Sequence, residues 1–473
     1  MKNCLTFILI FFCTLTAFPQ ENIKLLQKEI NKVISDPFFN SSQIGVDIFD
    51  LRTHKTLFQR NEKLLFRPAS NLKILTSISG LLFLGPDYEF ITSLYHTGHI
   101  RGDTLYGDLY IAGGFDPLFS TGDLDTLIVG LQQAGIKNIA GNIYADVSAK
   151  DSLFWGAGWM WDDDPSTDAP YLSSLNINEN SVKAAFAPSL VDSLIKINLI
   201  PESDYFDLVN TAVTAGGDSS KVKVDRDWLD RKNKIIVSGY LSYEALPDTE
   251  AVNVYNPTFY FLNLFKENLF RNNISFNGKL DTLTLNKTGK LIGLYKRSFT
   301  DVLLQMEKKS DNLAAEMTLY ALAEKYYGKP ASAKNGVKMI DSLITLAGFD
   351  PANYRIVDGS GVSHYNLISS ELILGVLKYF YYHQIQLFDL FYKSLPAAGV
   401  DGTLDKRMIG TRAENNLHAK TGTISGVSCL SGYVKARNEH NLAFSIMVQN
   451  YVTRTKEAVK FIDRICKLLA DYK

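Results

Sequence analysis

Apolar and polar positions divide this chain into stretches of different texture. Glu21 to Ile34 reads as a helix, and Ile44 to Phe49 and Lys55 to Phe58 as strands. Arg67-Pro68-Ala69 then ends an extended stretch, and Ile74, Leu75, Ile78, Leu81, Leu82 and Leu84 follow as an apolar run. Proline disfavours helix in the residue before it, so this helix is expected to begin at or after Pro68. From about Thr97 to Asn286 short alternating strands take over (Leu105 to Ile111, Lys196 to Leu199, Ile235 to Val237), with Gly/Asp turns and no long helix until Asn256. Inside that region, Lys183 to Ala245 keeps its own strand rhythm around the loop Gly216-Gly217-Asp218-Ser219-Ser220. Helix returns at Thr300. A run through Leu430 and Tyr433, a polar turn from Lys435 to Asn441, and alternating Leu442, Phe444, Ile446 and Val448 predict an antiparallel hairpin. The last helix, from Arg454, gathers Val459, Ile462, Ile465 and Leu469 on one face. It is expected to pack on a sheet; a membrane-surface helix is the alternative, and no Trp- or Phe-rich boundary supports it.

This order predicts an α/β (α+β) fold: an antiparallel sheet with helices, interrupted by a large mostly-β insertion. Residues 21–96 and 291–473 are expected to form one discontinuous domain and residues 97–290 the insertion, with a nested domain at about 180–250. At 473 residues the chain is too long for one compact core, and its 46% hydrophobic content suits ordinary globular interiors. A formal net charge of −1 argues against nucleic acid or a strongly acidic polymer as partner.

Residues 1–20 carry Lys2, an apolar run from Leu5 to Ala17, and Pro19-Gln20. That is the pattern of a cleaved signal peptide, too short for a good membrane span and followed by no second apolar segment. The mature chain is thus expected to be periplasmic, without a transmembrane segment. Bulky Phe11 and Phe12 before Cys13 argue against lipidation. Cys4 and Cys13 leave with the leader. Cys429 and Cys466 remain, either paired in an oxidising compartment or separately buried. No Cys/His cluster has metal-ligand spacing, and no cofactor is expected.

The chemistry sits in three short motifs: Ser70-Asn71-Leu72-Lys73, Ser310-Asp311-Asn312, and Lys420-Thr421-Gly422-Thr423. Each alone is weak, since Ser193-Leu194-Ile195-Lys196, Ser275-Phe276-Asn277 and Lys287-Thr288-Gly289 match the same patterns. Context separates them. Ser70 falls in the first turn of a helix, where free N–H groups and the positive dipole end favour an anion, and Lys73 lies on the same face. Burial there lowers a lysine's pKa and lets it act as a base. Ser310 is placed as N-cap of the helix through Leu313 to Met317. Lys420 opens the hairpin strand, which could border a cleft.

The ordered set S-x-x-K, S-x-N, K-T-G resembles that of the class C, low-molecular-mass penicillin-binding proteins, the D-Ala-D-Ala carboxypeptidase/endopeptidases. The gap from Ser70 to Ser310 is far longer than that from Ser310 to Lys420, as in a family with a large insertion between its first two motifs. Gly113-Gly114-Phe115-Asp116-Pro117, Gly158-Trp159-Met160-Trp161-Asp162-Asp163 and Asp358-Gly359-Ser360-Gly361-Val362-Ser363 add to the likeness. The resemblance implies Ser70 as nucleophile, Lys73 as base, and Ser310 with Lys420 as the relay to the leaving group. It implies that Asn312 holds Lys73 and the substrate backbone, and that Thr421, Gly422 and Thr423 border the terminal carboxylate and the oxyanion. Asp163, His364 and Ser425 fall at positions that grip the diamino-acid side chain; His364 and Ser425 depart from the arginine and glutamine common there. The implied partners are peptidoglycan stem peptides, with β-lactam antibiotics as inhibitors. A β-lactamase or esterase of the same serine class is disfavoured because no E-x-x-L-N carboxylate is found. A silent murein-binding protein is disfavoured because every motif residue is present.

Overall fold

The computed structural model describes residues 17–285 and 289–473. The expected signal segment up to Thr16, with Cys4 and Cys13, and the spare motif residues Lys287 and Thr288 lie outside the described residues. The described chain is a mixed α/β structure in two compact units.

The first unit comprises the described chain from Ala17 up to Leu81, Leu304–Ser310 and Lys338–Lys473. Its centre is a five-stranded antiparallel sheet in the order His418–Ile424, Val427–Lys435, Asn441–Gln449, Gln43–Asp50, Lys55–Arg60. An early strand and a late one are therefore neighbours at the centre of the sheet, with Val46 opposite Ile446. Side chains alternate across a strand. Ile44, Val46, Ile48, Leu430, Phe444, Ile446 and Val448 turn to one face and pack with the helices Ala17–Ile34 and Thr455–Ala470. The terminal helix is thus buried on the sheet side through Ile462, Ile465 and Leu469, as its pattern predicts, but with Ala458 in place of Val459, which is only half-buried.

On the other face, Gly45 stands against Phe66 and Ser370, and Tyr433 Oη donates to Leu377 O at 2.9 Å, seating the helix Ser370–His383. Register places a polar row, Lys420, Ser431, Ser445 and Asp47, across this otherwise apolar face. Cys429 belongs to this face, where its Sγ lies 3.8 Å from Arg67 O, and Cys466 to the opposite one. A sheet stands between the two thiols. Both are free and buried, so the paired alternative is not realised.

The second unit comprises Leu82–Leu303 and Asp311–Val337. One five-stranded sheet runs Leu280–Thr282, Ile143–Asp146, Leu109–Ala112, Glu89–His96, Lys290–Ser298, and smaller sheets hold the remaining strands. The helix Pro257–Arg271 begins where expected: Asn256 caps it, accepting from Phe259 N, with Pro257 at the first helical position. Two expectations need correction. The stretch Leu105 to Ile111 is not one strand but two, Thr104–Tyr106 and Leu109–Ala112, in different sheets. The turn between them is tight, and a Cβ on Gly107 would stand 2.0 Å from Thr97 O. A helix also precedes Asn256, at Leu124–Gln133, started by a reciprocal cap in which Asp123 Oδ2 accepts from Ser120 N at 2.9 Å. Among the described residues no helix is long and apolar enough to cross a membrane.

Candidate active site

Ser70 lies in a 3-10 turn, Ala69–Leu72, and the α-helix proper covers only Lys73–Ser79. The expected helix start is thus a tighter turn. Ala69 enters it with φ +46°, a left-handed conformation. In a 3-10 turn the side chains at i and i+3 eclipse, which brings Ser70 and Lys73 together. Lys73 is fully buried, and its Nζ donates to Ser70 Oγ at 2.9 Å and to Ser360 O at 2.8 Å.

The loop behind Lys73 is built around Asp358. Its buried carboxylate accepts from Gly361 N at 3.0 Å, Ser363 N at 2.7 Å and Asn366 Nδ2 at 2.7 Å. Thr76 Oγ1 donates to Gly359 O at 2.6 Å, fastening the loop to the helix. Gly361 has φ +87°, and a Cβ there would stand 1.9 Å from Ala69 O. Only glycine lets the loop close on the Ser70 turn.

Lys420 reaches the same face of the sheet from the edge strand. It is fully buried, and its Nζ donates to Ser310 Oγ at 2.9 Å and Thr421 O at 3.2 Å. Asn71 Nδ2 donates to Lys420 O at 2.9 Å, tying the edge strand to the Ser70 turn. Gly422 allows that approach, since a Cβ there would lie 2.7 Å from Pro68 O and 3.0 Å from Asn71 N. Thr421 Oγ1 lies 2.7 Å from Thr403 Oγ1, and Thr423 is exposed along the strand. Burial first, and the Lys73 charge beside it, pull the Lys420 ammonium down to about 7, against the opposing pull of Glu307.

Ser310 is half-buried with φ +60°. It is not the N-cap expected of it: Asp311 caps the helix Asn312–Tyr327, accepting from Ala314 N at 2.9 Å. The left-handed backbone at Ser310 turns its hydroxyl to Lys420 instead. Asn312 opens that helix in the second unit, where its Nδ2 donates to Asp168 O at 2.6 Å. Asp163, also there, ends the short turn Trp161–Asp163, its Oδ2 accepting from Met160 N at 2.8 Å. In the first unit His364 is half-buried just after Ser363, and Ser425 is exposed in the hairpin turn. Among the described residues no group of His, Cys, Asp or Glu is placed to hold a metal ion.

Sequence reasoning missed two features: the Ser360 carbonyl as a partner of Lys73, and Glu307, wholly buried beside both lysines. The glycines flanking Ser360 signalled the first. Nothing in the pattern around Glu307 signalled the second.

This is the fold of a penicillin-binding serine peptidase: penicillin binding protein 4 (dacB) from Haemophilus influenzae is similar at a TM-score of 0.80 and 27% identity, over 93% of this chain and 97% of that one. The chain belongs to the D-Ala-D-Ala carboxypeptidase 3 (S13) family, whose model matches residues 26–472. A D-alanyl-D-alanine carboxypeptidase from Actinomadura sp. is 29% identical over 463 residues, 94% of this chain and 85% of that protein. The Haemophilus influenzae protein complexed with a novel β-lactam is similar at a TM-score of 0.76 and 26% identity, over 94% of this chain and 99% of that one.

Proposed function

We propose that the protein is a serine D-Ala-D-Ala carboxypeptidase of peptidoglycan stem peptides, acting through a Ser70 acyl-enzyme. The observation that carries this reading is the double pairing in one unit, Lys73 with Ser70 and Lys420 with Ser310. Neutral Lys73 takes the proton as Ser70 Oγ bonds to the carbonyl carbon of the penultimate D-Ala. The tetrahedral oxyanion rests on the backbone N–H groups of Ser70 and Thr423, donors worth about 3–4 kcal/mol each. Collapse breaks the peptide bond, and the proton returns to the leaving amine through Ser310 and Lys420. Water then frees the acyl group. Lys420, Thr421 and Thr423 grip the terminal carboxylate. Asn312 and Asp163 take their roles, on the Lys73 side and on the diamino-acid side chain, from motif position alone; so do His364 and Ser425.

The same chemistry serves a D-Ala–diamino acid cross-link, so endopeptidase activity belongs to this reading. β-Lactams enter as acylating mimics, consistent with the β-lactam complex of the Haemophilus relative. The apolar N-terminal run fits export to the periplasm. The test is D-Ala release from a stem pentapeptide ending in D-Ala-D-Ala. Release by wild type and none by Ser70→Ala is expected; equal release by both would overturn the assignment of Ser70.

A further inference from the structure

Glu307 belongs to none of the three motifs, yet it occupies the interior behind both lysines. Its side chain is 0% exposed, near the end of the helix Phe299–Lys308 and three residues before Ser310. Oε1 accepts from Ser77 Oγ at 2.5 Å, and Ser77 Oγ also lies 2.5 Å from Lys73 O, one helical turn back. Oε2 is buried with no hydrogen-bond partner among the described residues.

A carboxylate half-satisfied in a dry interior is costly unless opposite charge compensates it. Two such charges act on this one, Lys420 and Lys73. Other charged groups on the surrounding elements face other partners; Asp47, at the far end of the polar row that begins with Lys420, takes a hydrogen bond with Gln59 and feels Lys378. On the same helix Lys308 turns to the Asp401 carboxylate, at 2.7 and 2.9 Å. On the edge strand His418 stacks on Tyr392, centroids 4.2 Å apart. In the loop behind Lys73, Asp358 takes the three hydrogen bonds already described.

We propose that Glu307 is a positioning residue for the lysine pair, its carboxylate setting how many protons Lys73 and Lys420 share and hence the pH at which Ser70 becomes nucleophilic. The inference rests on the acyl-enzyme reading above. General-base attack needs one lysine without its proton while the other keeps its charge for the substrate carboxylate. Two ammonium groups in one dry pocket repel and would both shed protons early. An anionic Glu307 balances one of them, so Glu307⁻, neutral Lys73 and charged Lys420 form a neutral trio. Charge couples these groups: burial pushes the Glu307 carboxyl up, and Lys420, the Ser77 hydrogen bond and Lys73 pull it only partly back. The carboxylate is bonded to Ser77 rather than to Ser70, so it acts through the lysines and not on the substrate.

The test is the rate constant for Ser70 acylation by benzylpenicillin, followed by intact mass across the pH range, in wild type, Glu307→Gln and Glu307→Asp. Neutral Gln removes a charge that raises both lysine pKa values, so both limbs of the profile are expected to move to lower pH by about one unit. Asp keeps the charge and is expected to keep the wild-type limbs even if its plateau is lower. A Gln profile that overlays wild type, or a loss uniform across pH in both variants, would overturn the proposal. If Glu307→Gln does not fold, Ser77→Ala carries the test: loss of the donor to Oε1 weakens the anion and should shift the limbs the same way, and unmoved limbs overturn the idea. Absence of any adduct on the wild type would instead sink the acyl-enzyme reading itself, a result distinct from an unmoved profile.

Discussion

Lys420 Nζ donates to Ser310 Oγ at 2.9 Å, joining two motifs 110 residues apart in the chain. The bond exists because Lys420 points from an edge strand into a fully buried site and Ser310 leaves its helix end with φ +60°. If this pair grips the substrate carboxylate and relays the proton, Lys420→Met should lower kcat/KM for D-Ala release by about 10²-fold or more, with the fold retained. Circular dichroism and a D-Ala release assay check this together.

The low proton affinity of Lys420 has a direction in pH. Its ammonium titrates near 7, mainly through burial, so the charge is present below that value and lost above it. KM for a peptide with a free terminal carboxylate should therefore rise as pH climbs through about 7. KM for a substrate amidated at that terminus should be high throughout and show no such rise. Steady-state kinetics on the two peptides separates the cases.

Gly422 lets the edge strand lie against the Ser70 turn, where a Cβ would meet Pro68 O at 2.7 Å. Gly422→Ala must push strand and turn apart, at a cost of about 1–3 kcal/mol by analogy with overpacked cores. Acylation by benzylpenicillin should slow at least tenfold, because a small misplacement of reacting groups is expensive. A variant that melts like wild type and acylates at the wild-type rate would show that the close approach is unimportant.

Asp47 sits on the inner strand Gln43–Asp50, 3% exposed, and burial raises its carboxyl to about 7. Below about 3.8 it is protonated whether folded or unfolded; between that value and about 7 only the folded chain holds the proton. Its contribution is therefore lost as pH rises through about 7, where the buried group must ionise. Asp47→Asn should remove this loss and stabilise the protein above neutral pH by on the order of 2 kcal/mol. Urea unfolding on both sides of neutrality measures it.

Much of this architecture was legible from pattern. The alternation from Leu442 to Val448 and the turn before it are local signals, and the strands Val427–Lys435 and Asn441–Gln449 match them. Ser70 and Lys73 were readable as neighbours because spacing alone brings i and i+3 together on any helical turn. Ser310 was misread as a cap because a Ser before a helix usually is one; a left-handed backbone handed that task to Asp311. Glu307 could not be read at all. Its burial arises from how the end of one helix packs beneath two distant lysines, and a charged residue next to Lys308 and Lys309 looks like a solvated helix end. The glycines at 361 and 422 matter for what approaches them, which is a property of tertiary structure.

Acylation of Ser70 is the step on which the whole mechanism depends. Intact-mass spectrometry of the protein after incubation with benzylpenicillin, beside Ser70→Ala, tests it directly. One added drug mass is expected on the wild type and none on the variant. An unmodified wild type beside intact drug, or an adduct that persists in Ser70→Ala, would contradict it.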